Sequence, residues 1–198
     1  MIEWLESVDR AIVLSVNSWN TPFLDEFFWL VSAKLTWIPF YLFLLFLFFR
    51  KSDLKSAGIF LLCAIVAVGL SDFTSSQIIK DSVMRYRPSH HSLLTEKLHF
   101  YSLSETDVYK GGQYGFVSSH AANFFAVCTF AWLSLRRWYP KIGWLLFGVA
   151  VLVSFSRLYL GVHYLSDLVG GAMLGASFAL LIHRFLFLPI LKKRKSTV

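Results

Sequence analysis

Charge is what this 198-residue chain has least of. Asp, Glu, Lys and Arg make up 16% of it, against about 25% in a water-soluble domain. With 56% hydrophobic residues and a mean hydropathy of +0.58, that scarcity excludes an ordinary soluble fold. There are only two cysteines, Cys63 and Cys128; both sit in apolar runs, read as packing residues and carry no information on redox compartment. The chain lacks low-complexity segments and any sign of a second domain, so one domain over residues 1–198 is expected. Its start lacks the basic segment and small-residue cleavage site of a leader, and carries Glu3, Glu6 and Asp9 instead. The net charge is +7, yet no basic stripe on a soluble surface is present, which argues against a nucleic-acid partner.

What is present is apolar and helical. Leu5, Val8, Ile12, Val16 and Trp19 recur at helical spacing and predict an amphipathic helix lying in the membrane interface. Asn20-Thr21-Pro22 breaks it, and a second short helix follows over Leu24–Ala33. Five spans are then expected, over Leu35–Phe49, Leu54–Lys80, Ser118–Leu135, Ile142–Ser156 and Tyr164–Leu188. The predicted fold is all-α: an integral-membrane helical bundle of about five transmembrane helices plus N-terminal interfacial helices, with one hydrophilic loop over residues 89–115.

Basic residues assign the sides. Arg50, Lys51, Lys55, Arg136, Arg137, Lys141, Arg184, Lys192, Lys193, Arg194 and Lys195 all fall at one set of helix ends, 11 of the 19 Lys and Arg. The positive-inside rule makes that side cytoplasmic. The polar motifs fall at the opposite ends of the same spans, so four helix ends meet on one face, expected to be the periplasm or cell exterior.

Those motifs carry the chemistry. Lys80 and Arg87 are seven apart and share a side if the helix persists, until Pro88 stops it. Ser118 and Ser119 open a span, where free N–H groups and the helix dipole hold an anion. His120 sits at the same end. His163 and Asp167 are four apart on one helical face, so the carboxylate can hold one ring nitrogen and leave the other nucleophilic. Arg157 reaches the same anion across a short turn containing Gly161. Three fixed cations suit a small, multiply charged anion, phosphate best of all. Two histidines and an aspartate can make and break a P–O bond without a metal. No carboxylates or imidazoles stand at ligand spacing near the motifs, and no cofactor is expected.

Outside these strings, Asp72 lies in a polar outer half of its span, as a cavity wall or an interhelical hydrogen bond. Gly171 and Gly175 form a small-residue packing face, within one bundle or between protomers. His90, His91 and His99 belong to a solvated or substrate-facing loop.

The strings resemble the type 2 phosphatidic acid phosphatase family, over about residues 54–188. Its pattern of Lys, six residues, Arg-Pro is met by Lys80 to Arg87-Pro88. Its Ser-Arg, five residues, His, three residues, Asp is met by Ser156-Arg157, His163 and Asp167. Its Pro-Ser-Gly-His appears with Val117 for Pro and Ser119 for Gly, while Ser118 and His120 match. The resemblance implies that His163 attacks phosphorus, Asp167 orients it and His120 protonates the leaving oxygen and activates water. It implies that Lys80, Arg87, Arg157, Ser118 and Ser119 hold the phosphate. Arg85 is extra to the pattern and is expected to bear on substrate binding.

The reading that follows is a metal-independent phosphatase of the bacterial cytoplasmic membrane, acting on a lipid phosphate or diphosphate whose tail stays in the bilayer. Undecaprenyl diphosphate is favoured. Phosphatidylglycerophosphate and lipid A phosphates remain open, as do a lipid phosphotransferase and a non-enzymatic anion transporter or scaffold. Oligomeric state is not legible.

Overall fold

Thr21 sets the first corner. Its hydroxyl accepts the Leu24 N–H at 3.2 Å, and Pro22 fills the first helical turn, where a missing N–H costs nothing. The computed structural model describes residues 2–195, and the side chains of residues 3–194. Helix α1 spans Ile2–Asn17 and α2 spans Pro22–Ser32. Val13 and Val16 of α1 pack against Tyr159, Leu160, Val162 and Leu168, while Trp4 and Leu5 stay exposed on its other face.

Helix α3 (Lys34–Phe49) follows α2 after a bend of 67°. Next come α4 (Leu54–Val83), α5 (Ser119–Leu135), α6 (Ile142–Tyr159) and α7 (Leu165–Arg194). Asp53 caps α4 by accepting the Ser56 N–H at 3.1 Å, and Arg194 at the far end of α7 pairs with the same carboxylate at 2.6 Å. Near the opposite end α4 widens into a π-helical turn at Thr74–Ile79, just before Lys80. Among the described residues the only strand-like pairings are two isolated antiparallel bridges, Tyr86 with Tyr114 and Ser102 with Val108.

Helices α4, α6 and α7 are long and apolar enough to cross a membrane, and the bent pair α2–α3 passes the same test together, so three or four spans follow from length and composition. The first predicted span therefore needs α2 to reach full length. The predicted span at 118–135 is the 17-residue α5, which rises only ~25 Å against ~30 Å of hydrocarbon. It is instead the most enclosed helix, with Ala121, Ala122, Ala126 and Phe130 fully buried. Helix α7 approaches it closely. A Cβ at Gly175 would lie 1.9 Å from the Ala122 carbonyl oxygen, and one at Gly171 would lie 2.5 Å from that of Ser118. The glycine face thus packs within the bundle. Phe48 stacks on Phe60 at 4.5 Å in the core, with Phe130 and Phe187 against them. The outer faces carry large apolar side chains such as Trp144, Phe185 and Met173, which water disfavours and lipid accepts. The protein is an integral-membrane helical bundle.

Candidate active site

Helix α4 ends sooner than Pro88 requires. Met84 takes the left-handed conformation with φ 49°, and the chain leaves the helix there. Arg87 is extended, so it reaches the site from a loop and not by the two-turn register that its spacing from Lys80 suggests. The loop is built around it. The Arg87 N–H donates to the Gln113 carbonyl at 3.1 Å, its Nε donates to the Tyr114 carbonyl at 3.0 Å, and its Nη1 donates to the Val162 carbonyl at 3.1 Å.

The same Nη1 lies 2.9 Å from Nε2 of His163. A guanidinium only donates, so Nε2 is the accepting nitrogen and carries no proton. The ring proton is on Nδ1, which faces Asp167 Oδ2 at 3.3 Å. That oxygen also accepts the Tyr164 N–H at 3.0 Å, and Oδ1 accepts from Arg85 at 2.8 Å. Both His163 and Asp167 are essentially inaccessible. Burial, then the positive charges of Arg87, Arg157 and Lys80, hold the His163 pKa well below its ordinary value of 6.5. Burial, then Arg157, brings Arg87 down to about 10, so it remains charged at neutral pH. With Nδ1 donating to Asp167 and Nε2 accepting from Arg87, the ring carries a single proton, on Nδ1.

Gly161, with φ +67°, turns the chain between α6 and α7, and Val162 donates its N–H back to the Arg157 carbonyl at 3.2 Å, so His163 returns to the end of α6 that carries Arg157. Arg157 donates to the Ser32 hydroxyl and, at 2.6 Å, to the Tyr109 hydroxyl. Its Nε is buried with no hydrogen-bond partner among the described residues. An unpaired buried donor on a cation is costly, and an anion's oxygen would satisfy it. Ser118 is the N-cap of α5 and donates its N–H to the Asp167 carbonyl at 3.0 Å. Ser119, where the family pattern has Gly, accepts from Lys80 Nζ at 2.8 Å, so its side chain orients the lysine.

His120 opens onto a cavity of about 590 Å³ between α3, α4 and α5. Ser119, Lys34 and Asp72 are among its polar lining, and Leu44, Ile65, Val68 and Val127 among its apolar lining. Asp72 serves both anticipated roles, since it lines the cavity and accepts from Asn123 of α5 at 2.7 Å. The loop over 89–115 is clamped to the N-terminal helices. His99 pairs with Asp25 at 2.8 Å, and Trp29 stacks on Tyr101 at 4.4 Å.

All eight residues expected from the motifs therefore lie at one end of the bundle. Ser32, Tyr109 and Asn123 were not anticipated. Arg85 was, but it contacts Asp167.

A family model for the PAP2 superfamily matches residues 57–190. The chain belongs to the PAP2 superfamily. Its PAP2 relatives include a lipid A 4'-phosphatase of Porphyromonas gingivalis, 33% identical over 88% of this chain and 71% of that one. Another, of Bacteroides thetaiotaomicron, is 33% identical over 88% of this chain and 75% of that one. Phosphatidylglycerophosphatase B of Bacillus subtilis is 29% identical over 58% of this chain and 53% of that one. Among solved structures, a PAP2-type phosphatidylglycerolphosphate phosphatase of Bacillus subtilis has a TM-score of 0.68 at 22% identity, covering 91% of this chain and 85% of that one. Aquifex aeolicus LpxE has a TM-score of 0.59 at 19% identity, covering 88% and 94%. The protein is a PAP2 membrane lipid phosphatase, a phosphomonoester hydrolase.

Proposed function

We propose that the protein removes a phosphate monoester from the sugar headgroup of a lipid A-type glycolipid, at the outer face of the membrane. The observation that carries this reading is the cavity that joins Ser119 and His120 to an apolar wall between α3, α4 and α5. It lets acyl chains stay in an apolar environment while the headgroup phosphate meets the cations. The headgroup is supported by the two relatives that share 33% identity over 88% of the chain, both lipid A 4'-phosphatases. The initial preference for undecaprenyl diphosphate yields to one of its alternatives.

In this reading an arriving phosphate oxygen takes the Arg87 N–H and frees Nε2 of His163. Lys80, Arg87, Arg157, Ser118 and Ser119 hold the other oxygens. Nε2 forms a bond to phosphorus as the P–O bond to the sugar breaks. The electron pair leaves on the sugar oxygen, which takes a proton from His120. Asp167 stabilises the positive charge that develops on the ring. Water, giving its proton to His120, then attacks phosphorus, and phosphate leaves with His163 restored. An alkoxide is a poor leaving group, so a monoester makes use of an acid placed at the cavity mouth.

Phosphate release by the purified protein tests this across three lipids: a bisphosphorylated lipid A, phosphatidylglycerophosphate and undecaprenyl diphosphate. The expected result is the highest kcat/KM with lipid A, with loss confined to its 4'-position. A higher kcat/KM for undecaprenyl diphosphate would overturn the headgroup assignment.

A further inference from the structure

We infer that Arg85 and Asp9 are positioning residues for the reaction, a relay by which the N-terminal helix fixes Asp167 and, through it, His163. The inference rests on the roles proposed above for those two residues. Arg85 Nη1 donates to Asp167 Oδ1 at 2.8 Å and to the Ser166 hydroxyl at 2.6 Å, and Nη2 donates to Asp9 Oδ2 at 2.8 Å. Its guanidinium also stacks over the Tyr164 ring at 4.3 Å. Asp9 of α1 has a second hold: its Oδ1 accepts the Ser166 N–H at 3.0 Å, and its Oδ2 accepts from the Ser166 hydroxyl. Asp9 therefore grips both Arg85 and the first turn of α7, one residue from Asp167.

The arrangement divides the two oxygens of Asp167. Oδ2 serves His163 Nδ1 and the Tyr164 N–H, and Arg85 holds Oδ1. Without Arg85, no hydrogen-bond donor among the described residues reaches Oδ1, although the residue is fully buried. A buried carboxylate oxygen without a donor is costly, so the group rotates or recruits another partner, and the 3.3 Å contact to Nδ1 loosens. That contact keeps the proton on Nδ1 and the lone pair on Nε2. Asp9 does the same service one step further out, because it holds a long, flexible arginine in one rotamer.

Arg85 differs in this from the arginines assigned to phosphate. Its terminal nitrogens are neutralised by the carboxylates of Asp167 and Asp9, whereas those of Arg157 meet only the hydroxyls of Ser32 and Tyr109, and its buried Nε has no partner among the described residues. Arg85 holds the Asp167 oxygen that does not face His163. Its loss is therefore expected in the chemical step and not in substrate affinity.

The test compares wild type, Arg85→Gln, Arg85→Lys, Asp9→Asn and the double variant Asp9→Asn/Arg85→Gln, with His163→Ala as the inactive reference. Steady-state kinetics on one lipid phosphate are paired with rapid-quench formation of the phosphoenzyme and with thermal midpoints. Arg85→Gln should lower kcat and the phosphoenzyme formation rate roughly 10- to 100-fold, the scale of a small misplacement of a reacting group, with KM within about twofold. Arg85→Lys should recover part of the loss. Asp9→Asn should lose less, and the double variant no more than Arg85→Gln alone, because one relay is broken once. An unchanged kcat, a raised KM with kcat preserved, or additive losses would each overturn the relay. If Arg85→Gln does not fold, Asp9→Asn and Arg85→Lys carry the same readouts. Activity in His163→Ala would instead overturn the nucleophile assignment, which separates the two failures.

Discussion

At the scale of single residues, the central object is an imidazole made neutral by its surroundings. Arg87 can only donate to Nε2 of His163, and Asp167 stands at Nδ1, so geometry sets the tautomer while burial and nearby cations suppress protonation. The sign of that shift makes a prediction. A lowered histidine pKa extends the unprotonated form to lower pH. The acid limb of kcat/KM should therefore fall below 6.5, the ordinary histidine value, after allowance for the substrate phosphate's own ionisation at about 6. A limb at or above that value would mean that His163 is charged in the resting site. The Ser119 substitution in the family pattern also has a local explanation. Its hydroxyl occupies space that Gly would leave open, but it receives the Lys80 ammonium and so keeps that cation in place.

At the scale of elements, the bundle depends on how closely α7 can approach α5. Gly175→Ala forces a Cβ into the Ala122 backbone, so the helices must separate. Gly148→Ala on α6 meets nothing within 4 Å and removes some unfolded-state freedom, a gain of about 0.5–1 kcal/mol. In detergent, Gly175→Ala should lower the thermal midpoint and phosphatase activity together, and Gly148→Ala should leave or raise both. Equal behaviour of the two would contradict the packing. Which elements were legible in the sequence follows from the same physics. Apolar runs announced α3 to α7, and Thr21-Pro22 announced the corner between α1 and α2, because burial and capping act locally. The exit from α4 at Met84 was not legible, since no local signal marks a left-handed residue there. Arg87 therefore meets His163 from a loop and not along the helix register that its spacing from Lys80 suggests. Asp9, Ser32 and Tyr109 were missed because each is brought to the site by tertiary docking, from helices or a loop whose own pattern says nothing of phosphate.

At the scale of the molecule, the polar motifs gather at one end of the bundle and the basic clusters lie at the other. Arg194 pairing with Asp53 ties the latter ends together. The proposed orientation puts the loop over 89–115 outside. Cys63 and Cys128 are buried, so a cysteine at exposed Glu105 would be the reactive thiol. Glu105→Cys should react with an impermeant maleimide in intact cells; labelling only after lysis would reverse the orientation. The claim on which the rest depends is covalent transfer to His163. Rapid quenching of the wild-type protein with a ³²P-labelled lipid phosphate measures it most directly. The expected result is an acid-labile, base-stable phosphoprotein whose label maps to the peptide containing His163 and is absent from a folded His163→Ala variant. A phosphoprotein that survives acid, label on another residue, or near-normal turnover by His163→Ala would contradict it.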